Sequence, residues 1–301
     1  MDDSAYLPDV PEDFDVFWAE LSGEGRHAPL DFHRDVETMY DAPDHVVETF
    51  TFRGVKGEEL HGWIAIPKES RHANPGFLWL APYGRESLLP NEYGTRKGFV
   101  SLSFNFHGYD AFHQEAYTPT RGYFAAGLPE PRNWVFGRMF QNSYIAMRVM
   151  QALTEVDENR IAAAGLSQGA GLAIWLGAHC PIVKTVCADM PFLSAMAVTL
   201  NNPIYRYPLK ELLDFADKIP IGMERVKFAV GYYDTLHQAT RCQVPTLVSL
   251  GEKDPAVRPL NVEAVFEALP GDKRLLRYDW GHDWHPDMIE NNRNWMLEKL
   301  G

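Results

Sequence analysis

Short apolar runs alternate with helical patterns through most of this chain. Each run is five to seven residues long, and the runs cover 76–81, 98–104, 160–165, 182–188, 246–250 and 274–278. Helical patterns separate most of them, at 137–154, 168–178, 224–236, 261–269 and 283–300. Apolar strands of this length that alternate with helices predict an α/β fold, with a mostly parallel central sheet and helices on both faces.

The first 70 residues follow a different pattern. Residues 11–21 begin with a proline and acidic residues and then place apolar side chains at helical spacing, which predicts an amphipathic helix. Two β-rich runs, 45–53 and 59–67, are separated by glycines and predict an antiparallel hairpin. Because no linker or repeat interrupts the rest of the chain, we expect a single domain over 1–301, with 1–70 as its N-terminal extension and first hairpin.

The segment 107–136 has neither a long strand pattern nor a long helical pattern, and it contains three prolines. A loop of this length inside a compact domain is uncommon and is often functional. The segment is also rich in aromatic residues, which predicts a satellite core beneath it, a wall for an apolar or sugar substrate, or a subunit contact. We expect this aromatic loop to lie near the active site.

Composition argues against several classes of partner. The 41 acidic and 28 basic residues give a net charge of −13 at pH 7. Nucleic acids and anionic membrane surfaces attract cationic patches, so neither is expected as the main partner. Three cysteines, Cys180, Cys187 and Cys242, are too few for a disulfide framework and lack metal-ligand spacing. With no signal-peptide pattern at the N-terminus, these features predict a cytoplasmic protein.

One stretch, 161–183, contains no charged residue and imitates a membrane span, with a G-x-x-x-G at Gly165 and Gly169. The same stretch also holds the polar residues Ser167 and Gln168, and no second stretch of this kind occurs in the chain. Two short buried elements joined by a glycine-rich turn are therefore the preferred interpretation.

The sharpest chemical signal is the motif Gly165-Leu166-Ser167-Gln168-Gly169. G-x-S-x-G alone is a weak pattern, but here an apolar run precedes it and an alanine-rich helical run follows. This strand–turn–helix context is typical of the nucleophile elbow of an α/β-hydrolase, where a tight turn lifts the serine hydroxyl clear of the sheet. We therefore expect an α/β-hydrolase fold with Ser167 as the nucleophile.

A serine nucleophile needs a base, and the base needs an orienting carboxylate. In an α/β-hydrolase the three follow in the order serine, acid, histidine. Asp254 follows a late apolar run and is the expected acid, with Glu252 as the alternative. His282 follows the last apolar run and is the expected base, with His285 as its rival. His282, Asp283 and His285 also suggest a metal site, but a matched distant ligand is missing, so no metal is expected.

Acyl transfer also needs two N–H donors for the oxyanion of its tetrahedral intermediate. Gln168, the residue after the nucleophile, is expected to supply one backbone N–H. Tyr83 follows an early apolar run and is expected to supply the other. No step of this chemistry requires a cofactor.

Beyond these motifs, the chain resembles the acetyl xylan esterase and cephalosporin C deacetylase family, carbohydrate esterase family seven, almost end to end. The segments that carry the resemblance are PEDFDVFW from Pro11, FTFRGVKGEELHGWIAIP from Phe50, PYG from Pro82, TRG from Thr120, VDENRIAAAGLSQGAG from Val156, GEKDPAVRP from Gly251 and GHDW from Gly281. The resemblance implies the same five site residues. It also implies removal of acetyl groups from small oligosaccharides and related compounds, and a homo-oligomer, often a hexamer with active sites facing an inner chamber.

The chain departs from the family's pattern in three places. His107-Gly108-Tyr109 stands where the family has Arg-Gly-Gln, Leu166 and Ala170 stand where it has glycines, and Asp283 stands where it has glutamate. The first change lies beside the expected site, so we expect His107 and Tyr109 to shape the acyl or leaving-group pocket, or to pack beneath it. The other two leave the expected triad intact, and the chain is identified as a divergent member of the family.

The sequence thus predicts a serine esterase that hydrolyses short-chain acyl esters, foremost O-acetyl groups of carbohydrates or related small molecules, through a Ser-His-Asp acyl-enzyme mechanism. Two alternatives stay open. One is another serine hydrolase on the same fold, a carboxylesterase for bulkier acyl groups or a peptidase; the other is a catalytically inactive relative that binds a partner. The expected partner of the esterase is a small-molecule ester, with no nucleic acid and no membrane.

Overall fold

One mixed sheet organises the chain in this computed structural model, which describes residues 10–36, 40–69, 73–84, 89–114, 122–220 and 222–301. The strands of the described residues are β1 (Phe32–Val36), β2 (His45–Arg53), β3 (Glu59–Pro67), β4 (Asn74–Leu80), β5 (Val100–Phe104), β6 (Val156–Leu166), β7 (Thr185–Asp189), β8 (Thr246–Gly251) and β9 (Lys273–Tyr278). Their helices are α1 (Phe14–His27), α2 (Val135–Ala152), α3 (Gln168–His179), α4 (Met196–Leu200), α5 (Lys210–Ala216), α6 (Gly222–Gly231), α7 (Thr235–Ala239), α8 (Pro259–Ala268) and α9 (Pro286–Leu300).

The strands lie in the order β1-β2-β3-β5-β4-β6-β7-β8-β9. Strands β1, β2, β3 and β5 pair antiparallel in that order, and every later pair in the sheet is parallel. The predicted mostly parallel sheet with an antiparallel N-terminal extension is therefore confirmed. The predicted hairpin is confirmed as β2 and β3, with full register from His45 opposite Pro67 to Arg53 opposite Glu59.

Helices cover both faces of the sheet, as two neighbouring residues of β7 demonstrate. Successive side chains of a strand point to opposite faces. The Thr185 hydroxyl accepts a hydrogen bond from the Trp295 indole of α9 at 2.9 Å. Its neighbour Val186 faces α3, because a β-carbon on Gly177 would stand only 2.8 Å from the Val186 side chain. Helices α9 and α3 therefore pack on opposite faces.

Helix α1 is longer than its sequence pattern predicts. The prediction ends the helix at residue 21, before Gly23 and Gly25, whereas the structure continues it to His27. Gly25 lies where α1 crosses α2, and a β-carbon there would stand 3.0 Å from the Tyr144 β-carbon. A close helix crossing, rather than the end of a helix, explains this glycine.

The N-terminal extension shares its core with the rest of the chain. Trp18 of α1 is fully buried, and its indole donates to the Tyr232 carbonyl at 2.7 Å. Its ring stacks on the His179 ring of α3, with centroids 4.9 Å apart. A continuous cluster of buried side chains reaches from Phe14 to Met296. The extension therefore packs into the same core as the other described residues, and the single domain over 1–301 stays a prediction.

Some elements differ from their predictions. Strand β1 escaped prediction because its sequence, Phe-His-Arg-Asp-Val, is polar at its centre, as an edge strand can be. The pattern at 224–236, read as a single helix, is wrong: the structure divides it into α6 and α7. The Asp234 carboxylate accepts from the Leu236 backbone N–H at 2.9 Å, and this N-cap starts a new helix. Helices α4 and α5 lie in a stretch for which no element was predicted.

The charge-free stretch 161–183 contains the end of β6, a turn, α3 and the four residues that follow α3, so the preferred interpretation is confirmed. Among the residues that the structure describes, no helix is both long and apolar enough to cross a membrane.

Two glycines permit the turn between β6 and α3. A β-carbon on Gly165 would stand 2.4 Å from the Gly169 carbonyl carbon. A β-carbon on Gly169 would stand 2.0 Å from the Leu80 carbonyl oxygen at the end of β4. These are backbone atoms that cannot move aside as a flexible side chain can. The start of α3 therefore lies directly against the end of β4, and only glycine fits between them.

We expect Trp18→Ala to lower the free energy of unfolding by about 3–5 kcal/mol, the usual cost of truncating a buried tryptophan. If α1 belongs to a single domain, chemical denaturation should still show one transition, at lower denaturant. Val16→Ala, on the same helix but 59% exposed, is the matched control and should stay within about 0.5 kcal/mol of the parent. A separate early transition that Trp18→Ala alone shifts would contradict the single domain.

We expect Gly169→Ala to destabilise the protein by at least about 1–3 kcal/mol, because the added methyl overlaps the Leu80 carbonyl. Gly23→Ala is the opposite case, since a β-carbon there meets no atom within 4 Å inside α1. That change should stabilise the protein by about 0.5–1 kcal/mol. Denaturant titration of both variants measures the contrast, and equal effects in the two would refute the close approach.

Candidate active site

Ser167 occupies the turn between β6 and α3 in a strained backbone conformation. Its φ is 56° and its ψ is −114°, a combination that non-glycine residues rarely adopt. Three backbone hydrogen bonds stabilise this conformation. The Ser167 N–H donates to the Asp189 carbonyl at 2.8 Å, and the Ser167 carbonyl accepts from the N–H groups of Phe192 at 3.0 Å and Gly171 at 3.1 Å. The side chain therefore projects beyond the carboxyl end of β6, where α/β folds build their sites.

His282 links Ser167 to Asp254. Its Nε2 lies 2.9 Å from the Ser167 hydroxyl, and its Nδ1 lies 2.6 Å from an Asp254 oxygen. In the tautomer that carries its proton on Nδ1, His282 donates to the carboxylate and accepts from the serine hydroxyl at Nε2. The structure thus brings the three residues predicted as a triad into one hydrogen-bonded chain.

Backbone N–H groups hold the Asp254 carboxylate independently of its contact with His282. Asp254 follows β8, and its side chain is only 1% exposed. One carboxylate oxygen accepts from the backbone N–H groups of Ala256 and Val257, at 2.7 and 2.8 Å, while the other faces His282. The His282 side chain is 22% exposed. The chain of hydrogen bonds therefore runs from a buried acid toward the surface.

The two rival residues are engaged elsewhere. Glu252 pairs with Arg277 at 3.2 Å, and both side chains are exposed. The His285 ring accepts from the Asp287 N–H as the N-cap of α9, and it stacks on Tyr278 with ring centroids 4.4 Å apart. Among the described residues, no group of three histidine, cysteine, aspartate or glutamate side chains could hold a metal ion.

The two predicted oxyanion donors lie on adjoining segments. Gln168 is the first residue of α3, where backbone N–H groups have no partner within the helix. Tyr83 lies three residues beyond Leu80, the β4 residue that packs against Gly169. Both donors therefore belong to segments that meet at the turn carrying Ser167, and their role stays a prediction.

Two residues that the sequence did not single out hold these segments. The Tyr123 hydroxyl donates to the Gln168 side-chain oxygen at 3.0 Å. Glu211 of α5 accepts from the Tyr83 hydroxyl at 2.6 Å and from the Phe124 N–H at 3.0 Å. Glu211 lies 128 residues from Tyr83, in a stretch without a predicted element, so no sequence signal pointed to it.

His107 and Tyr109, the expected pocket residues, lie in different surroundings. The His107 ring contacts the Tyr123 ring, with centroids 4.0 Å apart, and so reaches Gln168 through one intermediary. Tyr109 is 39% exposed and stacks on His113 at 4.4 Å. The structure therefore places His107 near the candidate site and gives Tyr109 a more open position.

The aromatic loop is described at 107–114 and 122–134, and α2 begins within its predicted end. Thr120 and Arg121 of the TRG segment lie outside the described residues. Phe124 is fully buried and packs edge-on against Trp134. Both side chains belong to the main core, whereas Phe112 of the same loop packs against a separate small cluster of buried side chains.

Buried charges lie beneath the elbow. Burial raises the pKa of the Asp189 carboxyl, which accepts from the Ser249 hydroxyl at 2.5 Å and the Asn292 amide at 2.7 Å. Burial also lowers the pKa of Arg96 to about 10. Because the Asp189 carbonyl holds the Ser167 N–H, this polar cluster anchors β7, β8 and α9 directly under the candidate nucleophile.

The chain is similar to several known proteins. A relative, the acetyl esterase Axe7A of Xylanibacter ruminicola, is 23% identical over 287 residues, which cover 91% of this chain and 64% of that protein. The chain thus spans less than two thirds of this relative's length.

Two solved structures share the fold. Acetyl xylan esterase 1 from Thermoanaerobacterium sp. superposes with a TM-score of 0.83 at 22% identity and covers 100% of this chain and 99% of its own. The acetyl xylan esterase from Paenibacillus sp. R4 superposes with a TM-score of 0.85 at 23% identity and covers 100% of both chains. The sheet described above is therefore that of an α/β-hydrolase.

The acetyl xylan esterase (AXE1) family matches residues 5–298 of the sequence. That match spans the elbow, the segments after β4, β8 and β9, and every candidate site residue named above. On this match, the chain belongs to the acetyl xylan esterase family.

Proposed function

We propose that this protein is a serine esterase that hydrolyses short-chain acyl esters, foremost O-acetyl groups of carbohydrates or related small molecules. The observation that carries the proposal is the hydrogen-bonded chain from Asp254 through His282 to Ser167. Membership of the acetyl xylan esterase family supports acetyl as the acyl group. Deacetylation of cephalosporin C-like compounds belongs to the same proposal.

In the proposed first half-reaction, His282 Nε2 removes the proton from the Ser167 hydroxyl while Oγ attacks the acetyl carbonyl carbon. The carbonyl oxygen becomes an oxyanion and accepts hydrogen bonds from the backbone N–H groups of Gln168 and Tyr83. The intermediate collapses as the ester C–O bond breaks, and His282 gives its proton to the departing alcohol. The buried Asp254 carboxylate stabilises the imidazolium that forms between these two transfers.

The second half-reaction repeats these roles with water. His282 removes a proton from water, and the hydroxyl oxygen attacks the acetyl-serine carbonyl. The second tetrahedral intermediate uses the same two N–H donors. Its collapse breaks the acyl bond to Oγ, returns the proton to Ser167 and releases acetate. The cycle requires no cofactor or metal.

The proposal extends to compartment and assembly. The three cysteines are free and buried, and burial raises the pKa of Cys180 and Cys242 to about 11. Protonated buried thiols suit a reducing cytoplasm. A homo-oligomer, with a hexamer as the form implied by the family resemblance, is the assembly we propose, and light scattering during gel filtration measures it.

We expect Ser167→Ala to lower hydrolysis of p-nitrophenyl acetate by as much as ~10⁶-fold, because the nucleophile is lost. Rates on p-nitrophenyl esters of increasing acyl length should fall from acetate onward in the parent protein. Labelling by a fluorophosphonate, detected by mass spectrometry, should occur at Ser167. Ser22→Ala, which removes a buried hydroxyl of α1, is the control and should retain activity.

Other outcomes would favour the alternatives. A preference for long acyl chains or for amides would indicate a different serine hydrolase on this fold. No hydrolysis of any ester, together with no labelling of Ser167, would indicate an inactive relative. Hydrolysis that persists in Ser167→Ala would refute the proposed nucleophile.

We expect His107→Ala to change the ratio of kcat/KM between p-nitrophenyl acetate and butyrate by about 10-fold, the usual scale of pocket discrimination. The reason is the contact of the His107 ring with Tyr123, which binds Gln168. Tyr109→Ala should change the same ratio less, because its ring is partly exposed. If both variants alter only thermal stability, neither residue shapes the pocket.

A further inference from the structure

Three segments around the candidate site meet at the carboxylate of Glu211. One of its oxygens accepts from the Tyr83 hydroxyl at 2.6 Å, and the other accepts from the Phe124 N–H at 3.0 Å. Glu211 itself belongs to α5, in the excursion between β7 and β8. Hydrogen bonds to a charged acceptor are short and roughly twice as strong as neutral ones. The carboxylate therefore ties the excursion to the loop after β4 and to the segment 122–124.

Close packing makes this junction specific. A β-carbon on Gly122 would stand 1.9 Å from the Tyr83 hydroxyl oxygen and 1.9 Å from a Glu211 carboxylate oxygen. Any side chain at residue 122 would thus displace both partners. The Tyr83 ring also packs on Tyr123 and Phe124, with centroids 4.9 and 5.9 Å away. Tyr83 is held by its ring and by its hydroxyl.

The same segment also reaches the second expected oxyanion donor. The Tyr123 hydroxyl donates to the Gln168 side chain at 3.0 Å, while the neighbouring Phe124 N–H donates to Glu211. The Gln168 side chain is therefore bonded to Tyr123 directly, and the Tyr83 side chain is linked to the neighbouring Phe124 through Glu211. The groups expected to act on the oxyanion are the backbone N–H groups of these same two residues, Gln168 and Tyr83.

We propose that Glu211 is a positioning residue of the oxyanion hole. Its carboxylate fixes the Tyr83 side chain and thereby aims the Tyr83 backbone N–H at the oxyanion. The inference rests on the proposed function and adds a residue to it. Glu211 acts through Tyr83 and has no proton-transfer role. A displacement of about 1 Å in such a group can cost ~10²-fold in rate, so loss of the carboxylate should be visible in kcat.

Two variants test the contact from its two sides. Tyr83→Phe removes the hydroxyl and keeps both the ring and the backbone N–H. Glu211→Gln keeps the shape but offers a single carbonyl oxygen to two donors. We expect each to lower kcat for p-nitrophenyl acetate by about 10- to 100-fold with KM changed less than about 2-fold. Because both changes remove the same contact, the kcat of the double variant should be no lower than that of the less active single variant.

Asp214→Asn is the matched control on the same helix. The Asp214 carboxylate also serves two donors, the Tyr207 hydroxyl at 2.7 Å and the Lys210 ammonium, so the change weakens a similar pair of contacts on α5 at a residue outside the junction. It should leave kcat and KM at parent values. A loss of kcat in Asp214→Asn equal to that in Glu211→Gln would assign the effect to general loosening of α5 and would overturn the proposal.

Inhibition by a short alkyl boronic acid supplies a readout that a purely structural role would not change. Its tetrahedral adduct on Ser167 places an oxygen where the oxyanion forms. We expect the inhibition constant to rise in Tyr83→Phe and Glu211→Gln by the same factor by which kcat/KM falls. The melting temperatures of both variants should stay near that of Asp214→Asn. If Glu211→Gln fails to fold, Tyr83→Phe carries the test alone.

The outcomes separate this inference from the function beneath it. If Ser167→Ala is inactive while Glu211→Gln and Tyr83→Phe keep the parent kcat and boronate affinity, Glu211 has no positioning role and the proposed function stands. If hydrolysis persists in Ser167→Ala, the proposed function fails, and the inference fails with it. The inference is supported if kcat and boronate affinity fall in parallel in Glu211→Gln and Tyr83→Phe while both stay at parent values in Asp214→Asn.

Discussion

The close approach of two backbones, at the end of β4 and the start of α3, is the constraint on which the site depends. Gly169 lies so near the Leu80 carbonyl that no side chain fits between them. This contact holds the turn tight, and the tight turn gives Ser167 its positive φ. It also sets the loop after β4, which carries Tyr83, beside the first N–H groups of α3. Because Gly169 has no side chain, the two backbones can approach closely, and this approach places the nucleophile beside both expected oxyanion donors.

The parallel sheet then supplies the partners of Ser167 from neighbouring strands. Asp254 follows β8 and His282 follows β9, two strands that pair in register beside β7. Because parallel strands end at the same edge, residues distant in sequence converge there without a dedicated scaffold. The local backbone N–H groups that hold Asp254 fix the acid first, and the acid then orients the histidine. Each group in the site is therefore positioned by the one before it: the backbone holds Asp254, Asp254 orients His282, and His282 contacts Ser167.

The sequence was most informative where local chemistry decides structure. The Gly-x-Ser-x-Gly turn, the hairpin at β2 and β3, and the order of Ser167, Asp254 and His282 are local or ordered signals, and the structure places those residues together. It was least informative between β7 and β8, where α4 and α5 are short and their placement depends on tertiary contacts. The N-cap at Asp234 was a readable signal, but the apolar pattern that spans it concealed it. Glu211 could not have been found, since its partners are distant in sequence and become neighbours only in the fold.

The residues that the sequence predicted and those that it did not predict have different roles in the candidate site. Residues at the ends of the strands carry out the proposed bond formation and proton transfer, and the sheet determines their positions. Residues of the excursion and of the segment after residue 121 contact Tyr83 and Gln168 through side chains, as Glu211 and Tyr123 do. A change among the latter can alter the aim of a backbone N–H without touching the triad. His107, whose ring contacts Tyr123, belongs to this second set. A substitution at His107 would therefore act on the site through Tyr123 and Gln168, and it would leave the proposed nucleophile, base and acid in place.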